Sequence, residues 1–377
     1  MNRRSFLAAS IAFPLSGCAA SSMRTMAQRA ATTPPCLPPV NISEDRVIRT
    51  TAGLRPYRAS GFVVRAEPLG SKRIVHNYGH GGAGITLSWG TSRLAAELGL
   101  QGHSGPVAVI GAGIMGLSTA RLVQEAGFPV TVYTAALPPD TTSNVSGGQF
   151  HPFGHFRDDA VTPEWRASFA RALDYSWRRF QIMVGEDYGV RWIPTYQQAS
   201  APEARIAPTF PPVNRLLGPG EHPFPPEQVL LYETLYVEPG RYLRQLLRDI
   251  RTDGGQLRVQ RFDSPAALAA LPESLVFNCT GLGAGALFGD TELTPIRGQL
   301  AVLLPQPEVR YAYNLDAGYM FPRPDGVVIG GSWERGEWST QVDPARIARI
   351  LAGNARIFEG WRCGAPAALQ RPGRLSI

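Results

Sequence analysis

The chain has 377 residues, of which 44% are hydrophobic and 18% charged, and its formal net charge is +7. That length exceeds what one compact core holds, so two domains are expected, and the ordinary composition excludes wholesale disorder. The charge does not mark a nucleic-acid binder: the arginines stand singly or in pairs, no run of five basic residues occurs, and Lys72 is the only lysine.

At the N-terminus, Arg3-Arg4 precedes a short apolar segment, Leu7 to Leu15, as in export signals of the twin-arginine type. The segment is too short to span a bilayer as a permanent helix. Leu15-Ser16-Gly17-Cys18 resembles a lipoprotein cleavage box, in which Cys18 is acylated and tethers the mature chain; a plain cleaved signal with an incidental cysteine is the competing reading. Residues 1–18 therefore predict export to the periplasm or cell envelope. Residues 19–39, rich in Ala, Ser, Thr and Pro, predict a flexible tether, with order beginning near Val40. Cys36, Cys279 and Cys363 fit no metal spacing, and three thiols leave no complete pairing, so no disulfide framework is expected.

In Gly53-Leu54-Arg55-Pro56, the proline holds Arg55 extended, and a guanidinium fixed this way suits bidentate capture of a carboxylate. Gly61-Phe62-Val63-Val64 predicts a strand. Between His76 and Gly90 five glycines predict a loop before an amphipathic helix, where backbone N–H groups meet an electron-rich ligand. His76 and His80 are four apart, but the glycines preclude the helix that would pair them as metal ligands; Pro152 and Gly154 do the same for His151 and His155.

Val107-Ala108-Val109-Ile110 reads as a buried parallel strand running into Gly111-Ala112-Gly113-Ile114-Met115-Gly116. Gly111 makes the tight turn, Gly113 lets the backbone approach a pyrophosphate, and Gly116 lets helix and strand pack closely. A helix to Glu125, a cap at Gly127 and a second strand, Val130 to Thr134, complete a dinucleotide-binding unit. The ribose-binding acid expected ~20 residues on is missing: Thr134 and Ala135 stand there, leaving the ribose to hydroxyls or backbone.

Thr162-Pro163-Glu164 starts a helix whose Trp165, Phe169, Leu173, Trp177 and Phe180 form a packing stripe. Pro202 to Pro226 predicts an extended surface excursion, Pro239 to Arg251 a helix, and Leu275-Val276-Phe277 a buried strand. From Arg297 to Trp338, alternation and turn glycines predict antiparallel strands walling a pocket. The expected fold class is α/β, a Rossmann-type domain (40–160 and 255–300) with an interleaved substrate domain on a mixed or antiparallel β-sheet (161–254 and 301–377).

Taken together, Gly53-Leu54-Arg55-Pro56-x-Arg58, His76-Asn77-Tyr78-Gly79-His80-Gly81-Gly82-x-Gly84-Ile85-Thr86 and Val109 to Thr119 resemble the D-amino-acid oxidases and related FAD-dependent amine oxidases. Thr141 to Gly148, Asn278 to Gly281, Arg297-Gly298-Gln299 and Gly330-Gly331-Ser332 extend the resemblance over nearly all of residues 40–360. The order differs: segments that normally close the chain precede the glycine turn here. A circular permutation explains this, with 53–98 moved forward and residues 99–106 as the joint.

The resemblance implies FAD. Its pyrophosphate would lie at Gly111, Ala112, Gly113, Ile114, Met115 and Gly116, with hydroxyls from Thr141, Thr142 and Ser143. Gly147, Gly148 and Gln149 would run along the isoalloxazine, and Gly81, Gly82, Ala83, Gly84, Ile85 and Thr86 would set a helix N-terminus against the flavin pyrimidine. Phe262 and Thr280 would line the adenosine side and the sheet edge. Arg55 would pair with the substrate α-carboxylate, Tyr319 would donate to it, and the Gly82 carbonyl would accept from the amine; His151 would stand on the pocket wall. The implied reaction takes a D-amino acid to a 2-oxo acid and ammonia, with dioxygen as acceptor and no side-chain base. The usual second tyrosine is replaced by Leu315, though Tyr313 lies close by in sequence, and Arg323 or Arg335 are candidate partners for an acidic substrate side chain. A dehydrogenase feeding a quinone and a degenerate flavin-binding envelope protein remain as alternatives.

Overall fold

The computed structural model describes residues 36–199 and 214–361; the export signal, Cys18 and Cys363 lie outside them. In chain order the first half contains β1 (Val47–Tyr57), β2 (Val63–Leu69), β3 (Lys72–Tyr78), α1 (Gly84–Leu100), β4 (Val107–Ile110), α2 (Ile114–Glu125), β5 (Val130–Thr134) and α3 (Pro163–Gln181). Next come β6 (Val190–Gln198), β7 (Asn214–Leu217), β8 (Val229–Val237), α4 (Pro239–Thr252), β9 (Gln256–Val259), α5 (Pro265–Ala269), β10 (Leu275–Asn278) and α6 (Gly283–Phe288). The last are β11 (Thr294–Leu303), β12 (Ala312–Leu315), β13 (Gly318–Arg323), β14 (Gly326–Gly330), β15 (Glu334–Arg335) and α7 (Pro344–Arg356).

Two sheets organise these elements. The first has the order β2-β3-β10-β4-β5-β9, parallel except for the edge strand β2. Every residue of β4, β5 and β10 is buried, as a parallel sheet covered on both faces requires. One face carries α1 to α4 through a core that includes Trp89, Leu117, Phe169 and Tyr242; Leu268 of α5 and Leu287 of α6 pack the other. The second sheet runs β1-β11-β14-β13-β12-β6-β8-β7, with β15 on β11, and is antiparallel except where β12 meets β6. Helix α7 covers its outer side through Ile347, Ile350 and Leu351.

Local signals act as composition predicts. Thr162 caps α3 by accepting from the Trp165 N–H at 3.2 Å, and Phe169, Leu173, Trp177 and Phe180 are buried at about 2 kcal/mol each. Gly127 takes φ +88° just past α2.

Several expectations change. Gly90 is not in the loop but inside α1, where an added Cβ would lie 1.8 Å from the Ala172 carbonyl oxygen; glycine is there because α1 and α3 cross backbone to backbone. That crossing also buries α1 on most of its circumference, so it is not amphipathic. Gly99 and Leu100 finish α1, which moves the expected joint to Gln101–Pro106. The first edge strand begins at Val63, not Gly61, and Asn214–Leu217, in the expected excursion, pairs with β8. The end of the expected tether is packed: the Pro38 carbonyl accepts from the Tyr311 hydroxyl and the Leu37 carbonyl from the Trp361 indole. The domain limits do not follow the sheets either. β1, expected with the nucleotide fold, pairs along its length with β11 in the second sheet, and α3 and α4, expected with the substrate domain, cover the first.

Candidate functional site

A cavity of about 1040 Å³ opens between the two sheets, lined by both glycine loops and by β1, β11, β12 and β13. It is at the upper end of small-molecule sites, large enough for a dinucleotide with a small substrate.

At one end is the β4–α2 turn. Gly111, at φ +111°, donates its N–H to the Tyr133 carbonyl at 2.7 Å, and a Cβ there would strike the Cys279 carbonyl. The Ile114 N–H donates to Ser143 Oγ at 3.0 Å, drawing the Thr141–Ser143 segment over the α2 N-terminus. Gly111, Ala112, Gly113, Ile114, Met115, Thr141, Thr142 and Ser143 all line the cavity. Gly116 does not: a Cβ on it would sit 1.8 Å from the Gly111 carbonyl oxygen, so it serves the strand–helix contact alone. Thr134, at the position of the missing acid, accepts from the Ala112 N–H and donates to the Ala136 carbonyl. Its hydroxyl proton is therefore committed within the protein, and the neighbouring wall is Ala135, Ala136, Asp140, Gln260, Arg261, Phe262 and Asp263.

The second loop wires the fold together. His76 reaches Glu67 and Asn278, Asn77 donates to Ser92 and Thr119, Tyr78 donates to Asp290, and His80 meets Thr91. Separate partners hold His76 and His80, and burial pushes the His80 ring down to about 3. Gly81, Gly82, Gly84 and Ile85 line the cavity at the N-terminus of α1, which has no side-chain cap. Nothing lies within 3.6 Å of a Cβ built on Gly82 or Gly84, so a ligand can lie against that backbone. Ala83 and Thr86 turn inward instead: Ala83 is fully buried, and Thr86 Oγ1 accepts from the His151 N–H and donates to its carbonyl. Gly147, Gly148, Gln149, Phe262 and Thr280 are on the wall.

At the far end, β1 carries Arg55 into the cavity. Its guanidinium lies over Gly298, where a Cβ would come within 2.4 Å of Nη2, and against the Trp333 indole at 5.2 Å. Gly82 and the Tyr319 hydroxyl are its other neighbours; burial raises the Tyr319 pKa, and the guanidinium opposes the rise. Gly330 makes room for the Tyr319 ring, which stacks on Phe321. Among the described residues Arg55 makes no ion pair; Nη1 donates to the Ser332 carbonyl at 3.4 Å, and the side chain hydrogen-bonds the Tyr319 hydroxyl. His151 is on the same wall, its ring held to about 4 by burial and so neutral at pH 7.

Tyr313 does not replace the missing tyrosine. Strand alternation turns it to the outer core, where its hydroxyl donates to Asn354. Asn314 faces inward instead, opposite Tyr319 and donating to Gln149. Arg323 is held by Asp325 and Arg335 lies over Tyr57, so neither lines the cavity. Sequence reasoning passed over Asn314, Gln197 and Trp333; the alternation of β12 and the position of Trp333 just after Gly330-Gly331-Ser332 were the available signals.

The donor set fits FAD: an α1 N-terminus without a side-chain cap, hydroxyls beside the α2 turn, and glycine backbone open to a flat ring. The pattern of the family described as DAO, FAD dependent oxidoreductase, matches residues 17–98 and 106–371. A D-amino acid oxidase of Dugesia ryukyuensis is 29% identical over 286 residues, 72% of this chain and 84% of its own. A D-aspartate oxidase of Homo sapiens is 28% identical over 257 residues, 65% of this chain and 74% of its own. The solved L-proline dehydrogenase from P.horikoshii shares the fold at a TM-score of 0.52 and 13% identity, over 68% of this chain and 78% of that one. The chain belongs to the DAO family of FAD dependent oxidoreductases; it is an enzyme, and FAD is its cofactor.

Proposed function

We propose that this enzyme oxidises D-amino acids to 2-oxo acids and ammonia, with dioxygen as electron acceptor and hydrogen peroxide as the second product. The observation that carries the reading is the Arg55 guanidinium beside Tyr319 and Gly82, without an ion-pair partner among the described residues. A cation left without a carboxylate in a partly dry cavity is a site for an anion, and its planar fork matches an α-carboxylate.

In this reading Arg55 and Tyr319 hold the carboxylate, and the Gly82 carbonyl accepts from the amine. With the carboxylate and the amine fixed, the wall that receives the side chain is the third point, and the three together set where the Cα hydrogen lies, which is how D is told from L. Bound FAD supplies the two-electron acceptor for the Cα–H bond; water then hydrolyses the imino acid. No side chain is required as base, and the neutral His151 ring shapes the wall.

The charge inventory favours uncharged side chains. Beyond Tyr319 stand Asn314, Gln197, Gln198 and the Asp316 carboxylate, while Arg323 and Arg335 are engaged elsewhere. D-aspartate would face Asp316 without a cation of its own.

The Arg3-Arg4 and Cys18 patterns support an exported, lipid-tethered enzyme, and the place of Arg55-Pro56 and His76 to Thr86 ahead of the Gly111 turn supports a permuted chain. Peroxide measured per D-alanine consumed tests the acceptor: one per turnover supports oxidase action, and none, with a quinone analogue reduced instead, assigns a dehydrogenase.

A further inference from the structure

A line of hydrogen bonds crosses three strands and ends at the cavity wall. The Thr280 N–H and hydroxyl both donate to Asn278 Oδ1, at 3.2 and 2.7 Å. Asn278 Nδ2 meets His76 Nδ1 at 2.9 Å, and His76 Nε2 meets Glu67 Oε1 at 2.9 Å. His76 and Asn278 are completely buried, while Glu67 and Thr280, the two ends of the line, are part-exposed. Edge contacts from Phe288 and Tyr78 fix the imidazole plane.

Only one arrangement of protons satisfies this line. A backbone N–H can only donate, so Asn278 must turn its carbonyl oxygen to Thr280 and its NH2 to His76. His76 Nδ1 is then a bare acceptor, and the proton resides on Nε2, facing the Glu67 carboxylate. Moving the proton to Nδ1 would set it against the Asn278 NH2, and turning the amide would set that NH2 against the Thr280 N–H.

We propose that His76 is a positioning residue for the cofactor: together with the Thr280 N–H it holds the Asn278 amide one way round, and Asn278 Oδ1 then commits the Thr280 hydroxyl proton inward, leaving its lone pairs for the cavity. Thr280 then accepts and does not donate. A phosphate, which offers only acceptor oxygens, gains nothing there, whereas a hydroxyl of the cofactor's ribose or ribitol does. This supplies at the end of β10 an acceptor for a sugar hydroxyl, separate from Asp140, Gln260 and Asp263 on the wall near the end of β5. The inference rests on FAD being the cofactor.

The test is the FAD dissociation constant of the full-length holoenzyme, read from flavin fluorescence on dilution, for His76→Leu, Thr280→Val and the double variant. We expect Thr280→Val to weaken FAD about tenfold and His76→Leu several-fold. The double variant should be no weaker than Thr280→Val alone, because His76 acts through the hydroxyl already removed. Effects that multiply, or an unchanged constant in His76→Leu, overturn the proposal. Should His76→Leu not fold, the exposed-end variant Glu67→Leu replaces it, with the same expected dependence on Thr280. A wild-type protein that binds no FAD would instead contradict the cofactor.

Discussion

Arg55 and Trp333 meet face to edge of the cavity, the guanidinium carbon 5.2 Å from the indole centroid, with Gly298 beneath and no carboxylate in reach among the described residues. The indole and the glycine backbone hold the fork in place without neutralising it. Arg55→Ala should therefore raise KM on the order of 100-fold while bound flavin remains, and Arg55→Lys should recover only part of the loss. Steady-state kinetics with a flavin spectrum checks this; flavin loss in Arg55→Ala would mean the residue serves the cofactor.

Tyr319 contributes one hydroxyl beside that fork. Tyr319→Phe keeps the stacking on Phe321 and the fit over Gly330, so it should lower kcat/KM about tenfold with an unchanged melting temperature.

Much of this site was legible because the chemistry imposes particular residues. The β4–α2 turn needs glycines at Gly111, Gly113 and Gly116, and the Arg55–Pro56 pair fixes an extended guanidinium. What stayed hidden depends on partners far along the chain. Gly90 looks like another loop glycine until α3 crosses α1 at Ala172, and β1 reads as part of the nucleotide fold until it pairs with β11 across some 240 residues. Thr134 looked available to a ribose, but its bonds to Ala112 and Ala136 depend on how the turn closes. Trp333 carries no periodic signal; only the pairing of β15 with β11, the neighbour of β1, brings it to Arg55.

Gly90 offers a stability test away from the chemistry. Gly90→Ala places a methyl 1.8 Å from the Ala172 carbonyl oxygen, which the two backbones relieve only by moving apart. The cost should be about 3 kcal/mol or more, measured by denaturant unfolding. A loss below about 0.5 kcal/mol would mean α1 and α3 do not cross there.

Acid should weaken the fold through buried histidines. Burial holds His80 and His155 at about 3 and His151 at about 4, against 6.5 when exposed, so the unfolded chain takes up these protons first. Their contribution is complete above pH 6.5 and is lost as pH falls below it, with a slope of about 4 kcal/mol per pH unit for the three together. Unfolding followed from pH 7 to 4 should show it, and His155→Phe should remove about a third of that slope. An unchanged slope in His155→Phe would contradict the assignment.

Substrate preference follows from the Asp316 end of the cavity. D-asparagine should exceed D-aspartate in kcat/KM by at least tenfold, and Asp316→Asn should narrow the gap. Equal rates for the two substrates would remove the argument from charge.

The most direct test is anaerobic mixing of the holoenzyme with D-alanine and, separately, L-alanine, followed by the flavin absorbance near 450 nm. The account predicts bleaching by D-alanine and none by L-alanine, and loss of the response at the same D-alanine concentration in Arg55→Ala. Bleaching by L-alanine alone, or by neither enantiomer across a panel of neutral amino acids, would contradict it.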